Sequence, residues 1–340
     1  MGEKPWNLRK TLVVLLLLTL LAAFFDLYSG SVHLSLPRFL QALFSRHHTP
    51  FHTLLWVYRI PKMLTALLVG ASVSTSGLLM QNLFRNPLAG PYILGVSSGA
   101  SLGVALLVFL GFSAGWWIAL SNWALVGAGV AGASLFLLVI GYLSFRVYET
   151  AALLITGVLL SAFAASIIGV LQYFSDQARL KTYVVWTFGS LSSLDNQQLS
   201  IFALITLLGL GTLFCFSKAW DTLLLGEDYA QSLGIPVRRM KVLLIVLTGL
   251  LVGVTTAFVG PILFIGIAIP YLARMLSGTA RHSVLIPVTL LCGMASMLFF
   301  DGLSACLMRE VVLPINLITA FFGAPVVLWL VIRGRNTFSL

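Results

Sequence analysis

The chain has 340 residues, 59% of them hydrophobic and only 9% charged, with a mean hydropathy of +1.02. A soluble domain carries about 25% charged residues, so most of this surface faces something other than water, and lipid is the candidate. The net charge of +10 is not a nucleic-acid footprint, because lysines and arginines sit at the ends of apolar segments and no basic run is interleaved with aromatics.

A membrane span needs about 20 apolar residues, so this length accommodates about ten spans with short connections. Continuous apolar runs, without period-two alternation, exclude a β-barrel. The expectation is an all-α integral membrane protein: one membrane-spanning domain over residues 1–340, about ten helices in a compact bundle. Lys4, Arg9 and Lys10 precede the first apolar run, as in a signal peptide, but no small-x-small cleavage site follows, so the run reads as an uncleaved first span. In chain order the expected spans are 11–28, 60–83, 93–111, 122–144, 151–174, 199–216, 241–259, 262–275, 283–303 and 314–332. The eighth is short and bracketed by Pro261 and Pro270, so a straight full-length crossing is not expected there.

Placing the N-terminus in the cytoplasm puts thirteen of the twenty lysines and arginines on inside segments and seven on outside ones. That asymmetry supports the orientation, and an even number of spans returns the C-terminus to the cytoplasm, as in a multi-pass protein of a bacterial inner membrane. Gly95, Gly99 and Gly103, and again Gly249 and Gly253, recur at four-residue spacing, a pattern that lets helix backbones approach closely in lipid.

No catalytic constellation emerges, and no cofactor or metal site is implied. His47, His48 and His52 cluster in the first outside loop, where a solvated polar surface and metal or haem contact are the two readings. Cys215, Cys292 and Cys306 lie in or beside apolar segments without metal-type spacing and read as small core residues. Span interiors are nearly free of ionisable residues, unlike an ion-coupled carrier, which remains the rival reading. There is no G-x-x-x-x-G-K-[ST] loop, so an external ATPase is implied.

The longest polar inside stretch, Lys218 to Lys241, reads KAWDTLLLGEDYAQSLGIPVRRMK. Glu227 and Asp228 open a short helix that ends at Gly234, with Pro236 beyond it, a well-formed start and stop. A short helix under the bundle suits contact with a soluble partner; the plain alternative is a connecting loop.

The stretch RIPKMLTALLVGASVSTSGLLMQNLFRNPLAGPYILGVSSGASLG, Arg59 to Gly103, resembles the FecCD-type permeases, the membrane subunits of siderophore, haem and cobalamin ATP-binding cassette (ABC) importers. The match continues through LGEDYAQSLGIPVRRMK, GPILFIGIAIPYLARML and LPINLITAFFGAPVVLWLV, in order along essentially the whole chain. The resemblance implies a homodimer around a central path, two ATPase subunits on the cytoplasmic side, a substrate-binding protein outside, and lipid around the bundle. It places Ala230, Leu233 and Gly234 in the ATPase-coupling segment. Asn86, Leu88 and Thr150 fall in the loops that close the path on the cytoplasmic side. Arg59 and Lys62 fall where the family presents basic residues to the binding protein, the alternative being snorkelling at a lipid interface. Where the family commonly carries an arginine this chain has Ala305, with Arg309 one turn further on the same face as a substitute. Val312 replaces a glutamate, Asn316 a glycine, and the usual P-H-x-x-R is Pro270 to Arg274. These departures bear on the outside docking surface.

Overall fold

The computed structural model describes residues 8–30, 32, 35–44, 49–111, 121–146, 150–308 and 312–334, and among them every regular element is helical. In chain order these are α1 (Leu8–Tyr28), α2 (Leu36–Phe44), α3 (Pro50–Thr53), α4 (Ile60–Leu83), α5 (Val96–Leu106), α6 (Asn122–Arg146), α7 (Thr150–Tyr173) and α8 (Gln177–Thr187). There follow α9 (Asn196–Cys215), α10 (Ser217–Leu224), α11 (Glu227–Ser232), α12 (Val237–Val259), α13 (Ile265–Ser277), α14 (His282–Cys306) and α15 (Ile315–Gly334). Seven stretches are long and apolar enough to cross a membrane, and three shorter apolar helices, Val96–Gly111, Ile265–Ser277 and Ile315–Trp329, take the places of the third, eighth and tenth expected spans. The count of about ten therefore holds.

The centre of the bundle is α4 against α12, α13 and α14. Of their most apolar windows, α12 and the continuous helix Pro50–Leu83 each bury 78%, whereas α1 and α7 bury 17%. The first pair is thus the core, and α1 and α7 face outward. A helix buried all round has no amphipathic stripe to orient it, so packing is fixed by shape. On α4 the hydroxyls of Ser74 and Thr75 donate to the carbonyls of Gly70 and Ala71, each at 2.6 Å, so these polar side chains are satisfied inside the apolar bundle. Gly77 faces the backbone of Gly266 so closely that a Cβ would collide with its carbonyl.

The expected glycine ridges are at helix contacts. Gly99 and Gly103 lie on Gly132 and Ala128 of α6, and Gly253 lies on Ala133. Gly95 differs from its two ridge neighbours: with φ +73 it forms the left-handed turn that launches α5.

The short eighth span has a physical cause. After Gly260 the chain runs extended to Phe264, which itself has positive φ (67°), and only then does α13 begin. Proline does not end it: the helix runs through Pro270 to Ser277. The extended piece is held by Asn316, whose Oδ1 accepts from the Leu263 N–H (3.3 Å) while its Nδ2 donates to the Thr187 carbonyl (3.4 Å). The residue that replaces the family's glycine is therefore built into the fold. Among the described residues, four further helices were not anticipated: α2, α3, α8 and α10.

Candidate functional site

The termini of α4 identify two opposite ends, about 36 Å apart for its 24 residues at 1.5 Å per residue. At its N-terminal end a cavity of about 580 Å³ opens among Asp26, Arg59, Lys62, Asn122, Asp195 and Ala305. At its C-terminal end lie the loop Arg85–Gly90 and the segment α10–α11.

The cavity end is built around four ionisable side chains. A π-helical turn, Leu54–Arg59, precedes α4 and turns Arg59 inward. Its guanidinium donates to the carbonyls of Leu27 (2.8 Å), Tyr28 (3.1 Å) and Val32 (2.7 Å). Two of these are at the C-terminus of α1, where carbonyls lack intrahelical partners, so Arg59 caps the first span with a cation. Gly30 makes room for it; a Cβ there would meet the Arg59 guanidinium. Lys62 Nζ pairs with Asp301 Oδ1 at 2.9 Å, and Asp26 lies beside Asp301, Lys62 and Arg59. Two carboxylates face two bases, and Asp26, Arg59 and Asp301 are all buried.

This arrangement changes the expectation for the docking residues. Arg59 does not present its charge outward, and Lys62, with 18% of its side chain exposed, is neutralised by an acid of its own chain while still lining the cavity. Arg309 lies outside the described residues, as do His47 and His48; His52 stacks on Trp56 with ring centroids 6.0 Å apart. Asp26 and Asp301 are what the sequence reading missed. The only signal was their place at the ends of apolar runs.

At the opposite end, α4 stops at Leu83 and the chain turns sharply, with Arg85 at φ 44. Asn86 Oδ1 accepts from the Leu88 N–H at 2.9 Å and the Asn86 carbonyl accepts from the Ala89 N–H at 3.0 Å, which makes a compact polar loop. Gln81 Nε2 ties the end of α4 to the Ile267 carbonyl of α13 at 3.1 Å. The chain then passes over α7, where a Cβ at Gly157 would strike the backbone at Ile93. Thr150 opens α7. Leu153, one turn into α7, shares a core cluster with Leu83 and Ala89, so the start of α7 lies at the same end as the Asn86 loop.

The segment expected to meet an ATPase lies at that same end. Glu227 and Asp228 do start a helix, α11, and Gly234 (φ +79) does end it. Ala230 is buried, Leu233 is 55% exposed, and a Cβ on Gly234 would meet nothing within 4 Å. Lys241 on α12 pairs with Glu227 at 2.7 Å. Upstream, α10 anchors the segment: Trp220 is fully buried and its indole N–H donates to the Leu213 carbonyl at 2.9 Å. Asp221 Oδ1 accepts from the backbone N–H of His282 (2.6 Å) and meets its Nδ1 (2.8 Å), so one carboxylate caps the start of α14.

Among the described residues, ten apolar helices carrying a charged cavity at one end and a loop-and-helix platform at the other define a multi-pass membrane transport subunit. The chain belongs to the FecCD transport family, whose model matches residues 16–333. It is 37% identical over 283 residues to the vitamin B12 import system permease protein BtuC of Klebsiella pneumoniae subsp. pneumoniae, covering 83% of each chain. It is 38% identical over 282 residues to the protein of the same name from Salmonella paratyphi A, covering 83% of this chain and 84% of that one. Among solved structures, an inward-facing transporter described as of the metal-chelate ABC type superposes with a TM-score of 0.83 at 32% identity, over 96% of this chain and 99% of that one. The protein is a permease subunit of the ABC-importer class.

Proposed function

We propose that this permease carries a bulky metal chelate, of the cobalamin, ferric siderophore or haem class, inward across the bacterial inner membrane. The cavity end faces outward and receives a substrate-binding protein. The platform end faces the cytoplasm and seats the ATPase, one per permease in a two-fold dimer. ATP binding and hydrolysis belong to that separate subunit, and the motion passes through α10–α11 as rigid-body movement of packed helices.

The observation that carries this reading is the platform itself. An exposed Leu233 and an open Gly234 offer a soluble partner a surface, while Trp220, Ala230 and the Lys241–Glu227 pair fix the same segment to the bundle. The dimer is supported by α7, which leaves Ile155, Val158, Leu159 and Phe163 exposed. Beside it a recess of about 210 Å³ is lined by Ser97, Ser98, Ser101 and Ser161. Lipid tails alone do not call for such a hydroxyl-lined face, whereas a path between two copies does.

The test is uptake into proteoliposomes holding the permease, its ATPase and its binding protein, with cobalamin, a ferric siderophore and haem offered separately. ATP-dependent accumulation of one of them is expected. Uptake that persists without the ATPase and collapses with the proton gradient would instead establish a secondary transporter.

A further inference from the structure

A chain of polar contacts crosses the platform end between three helices that the sequence separates widely. Asp221 of α10 holds His282 of α14 through both the backbone N–H and the ring Nδ1, at 2.6 and 2.8 Å. The other ring nitrogen, Nε2, lies 3.2 Å from Asn82 Nδ2 on α4, and that amide also faces the Trp220 carbonyl of α10 at 3.5 Å. Only the amide nitrogen of Asn82 donates, so Nε2 is the acceptor and Nδ1 carries the proton toward Asp221. Every polar atom of the imidazole is then satisfied in a site where His282 is 1% exposed. Four residues beyond Asn82 stands Asn86, in the loop assigned to the gate.

We infer that His282, held between Asp221 and Asn82, is a positioning residue for transport that locks the α10–α11 platform and the gate-bearing end of α4 into one moving body. The inference rests on the reading of α10–α11 as the ATPase platform. Apolar packing at this end allows sliding, because Trp220 and its neighbours present no directional contact to α4 other than the Trp220 carbonyl. Hydrogen bonds through a buried imidazole are directional, and losing the ring takes one partner from Asp221 and one from Asn82. A push on the platform therefore reaches α4 and the start of α14 together, which a purely hydrophobic seat does not ensure.

Two measurements test it, both on the full complex of permease, ATPase and binding protein in proteoliposomes. The first compares substrate delivered per ATP hydrolysed in the parent, His282→Leu, His282→Gln and Asn82→Ala. Allosteric coupling energies correspond to about 5–150-fold, so His282→Leu should lower the transport-to-hydrolysis ratio about tenfold with ATP hydrolysis and assembled complex retained. His282→Gln, whose amide keeps one donor and one acceptor, should restore most of the ratio. A residue that merely stabilises the fold would lower both activities in proportion to the complex recovered, leaving the ratio unchanged. That result overturns the inference.

The second measurement needs no substitution in the latch. Spin labels at Leu225→Cys and Ala280→Cys, in a chain whose three native cysteines are replaced by serine, report the distance from platform to α14 with and without ATP. A constant distance is expected. A change of about one helical turn, roughly 5 Å, would show the latch opening and refute the shared movement. If the parent complex itself shows no ATP-driven uptake, the functional reading falls and the inference with it. If the parent transports and His282→Leu keeps its ratio, only the inference falls.

Discussion

Arg59 shows how one side chain sets the end of a helix. Its guanidinium reaches three carbonyls from α1 and the residues beyond it, and hydrogen bonds to charged groups contribute about 1.5–3 kcal/mol. Arg59→Ala should therefore lower stability by about that amount, read as a fall in the thermal midpoint of the detergent-solubilised permease. Arg59→Lys should recover only part of it, since an ammonium does not span the same fan of acceptors. Lys62 and Asp301 call for a cycle in place of a single change. Removing one partner of a buried pair costs about 3–5 kcal/mol because the other charge is stranded, so Lys62→Met and Asp301→Leu should each destabilise severely. The double variant should be far milder than the sum. Additive losses would mean that the pair does not act as a unit. None of this was legible in the sequence. Arg59 and Lys62 stood out as basic residues at a span end, but nothing in the order of residues says that α1 ends against them or that Asp26 and Asp301 come from either side.

At the scale of elements, the spans were readable because apolar runs bounded by charge or turn residues carry their own length signal. Helix α11 was readable for a different reason: acid at its start and glycine, then proline, after its end are local chemistry. What failed was whatever depended on tertiary context. Helices α2 and α8 are short and packed against neighbours, and α10 hid inside a stretch that read as a polar loop. The eighth span was expected to be short, bracketed by Pro261 and Pro270; it is short, but the helix runs through Pro270 and starts only after Phe264.

The glycine that ends α11 gives a prediction at this scale. Gly234 has φ +79, so any side chain strains the turn, and bulk there projects into open space, where the ATPase is proposed to dock. Gly234→Arg should abolish coupled uptake with membrane insertion intact, and Gly234→Asn, which tolerates the left-handed conformation, should retain most of it. Full uptake with undiminished ATPase recovery in Gly234→Arg would remove the coupling assignment. Gly77→Leu is the contrasting case. Its side chain would be driven into the Gly266 backbone, so loss of folded protein is expected, seen as aggregation on size-exclusion chromatography.

For the whole molecule, the question is which end faces which compartment and what meets the outer one. Single cysteines at Thr49 and Asn196, both at the cavity end, should react with an impermeant thiol reagent from outside, and one at the exposed Leu225 of the platform only from inside. Labelling of position 225 in intact cells would reverse the orientation. Docking at the outer end needs a cleaner probe than charge reversal, because reversing Arg59 uncaps α1 and reversing Lys62 sets a second acid beside buried Asp301. Lys62→Gln with Asp301→Asn removes the pair together, keeps the net charge, and leaves no stranded ion. If Lys62 contributes its charge to an acidic binding protein, this double variant should associate more slowly at low salt, with a shallower dependence on ionic strength and little change in dissociation. Exposed pairs are worth about 0–1 kcal/mol each, but a two-fold permease presents the site twice, so an effect of several-fold on association is expected. Association at the parental rate across the salt series would confine Lys62 to holding α4 against α14, and the docking charge would then have to come from elsewhere on the cavity rim.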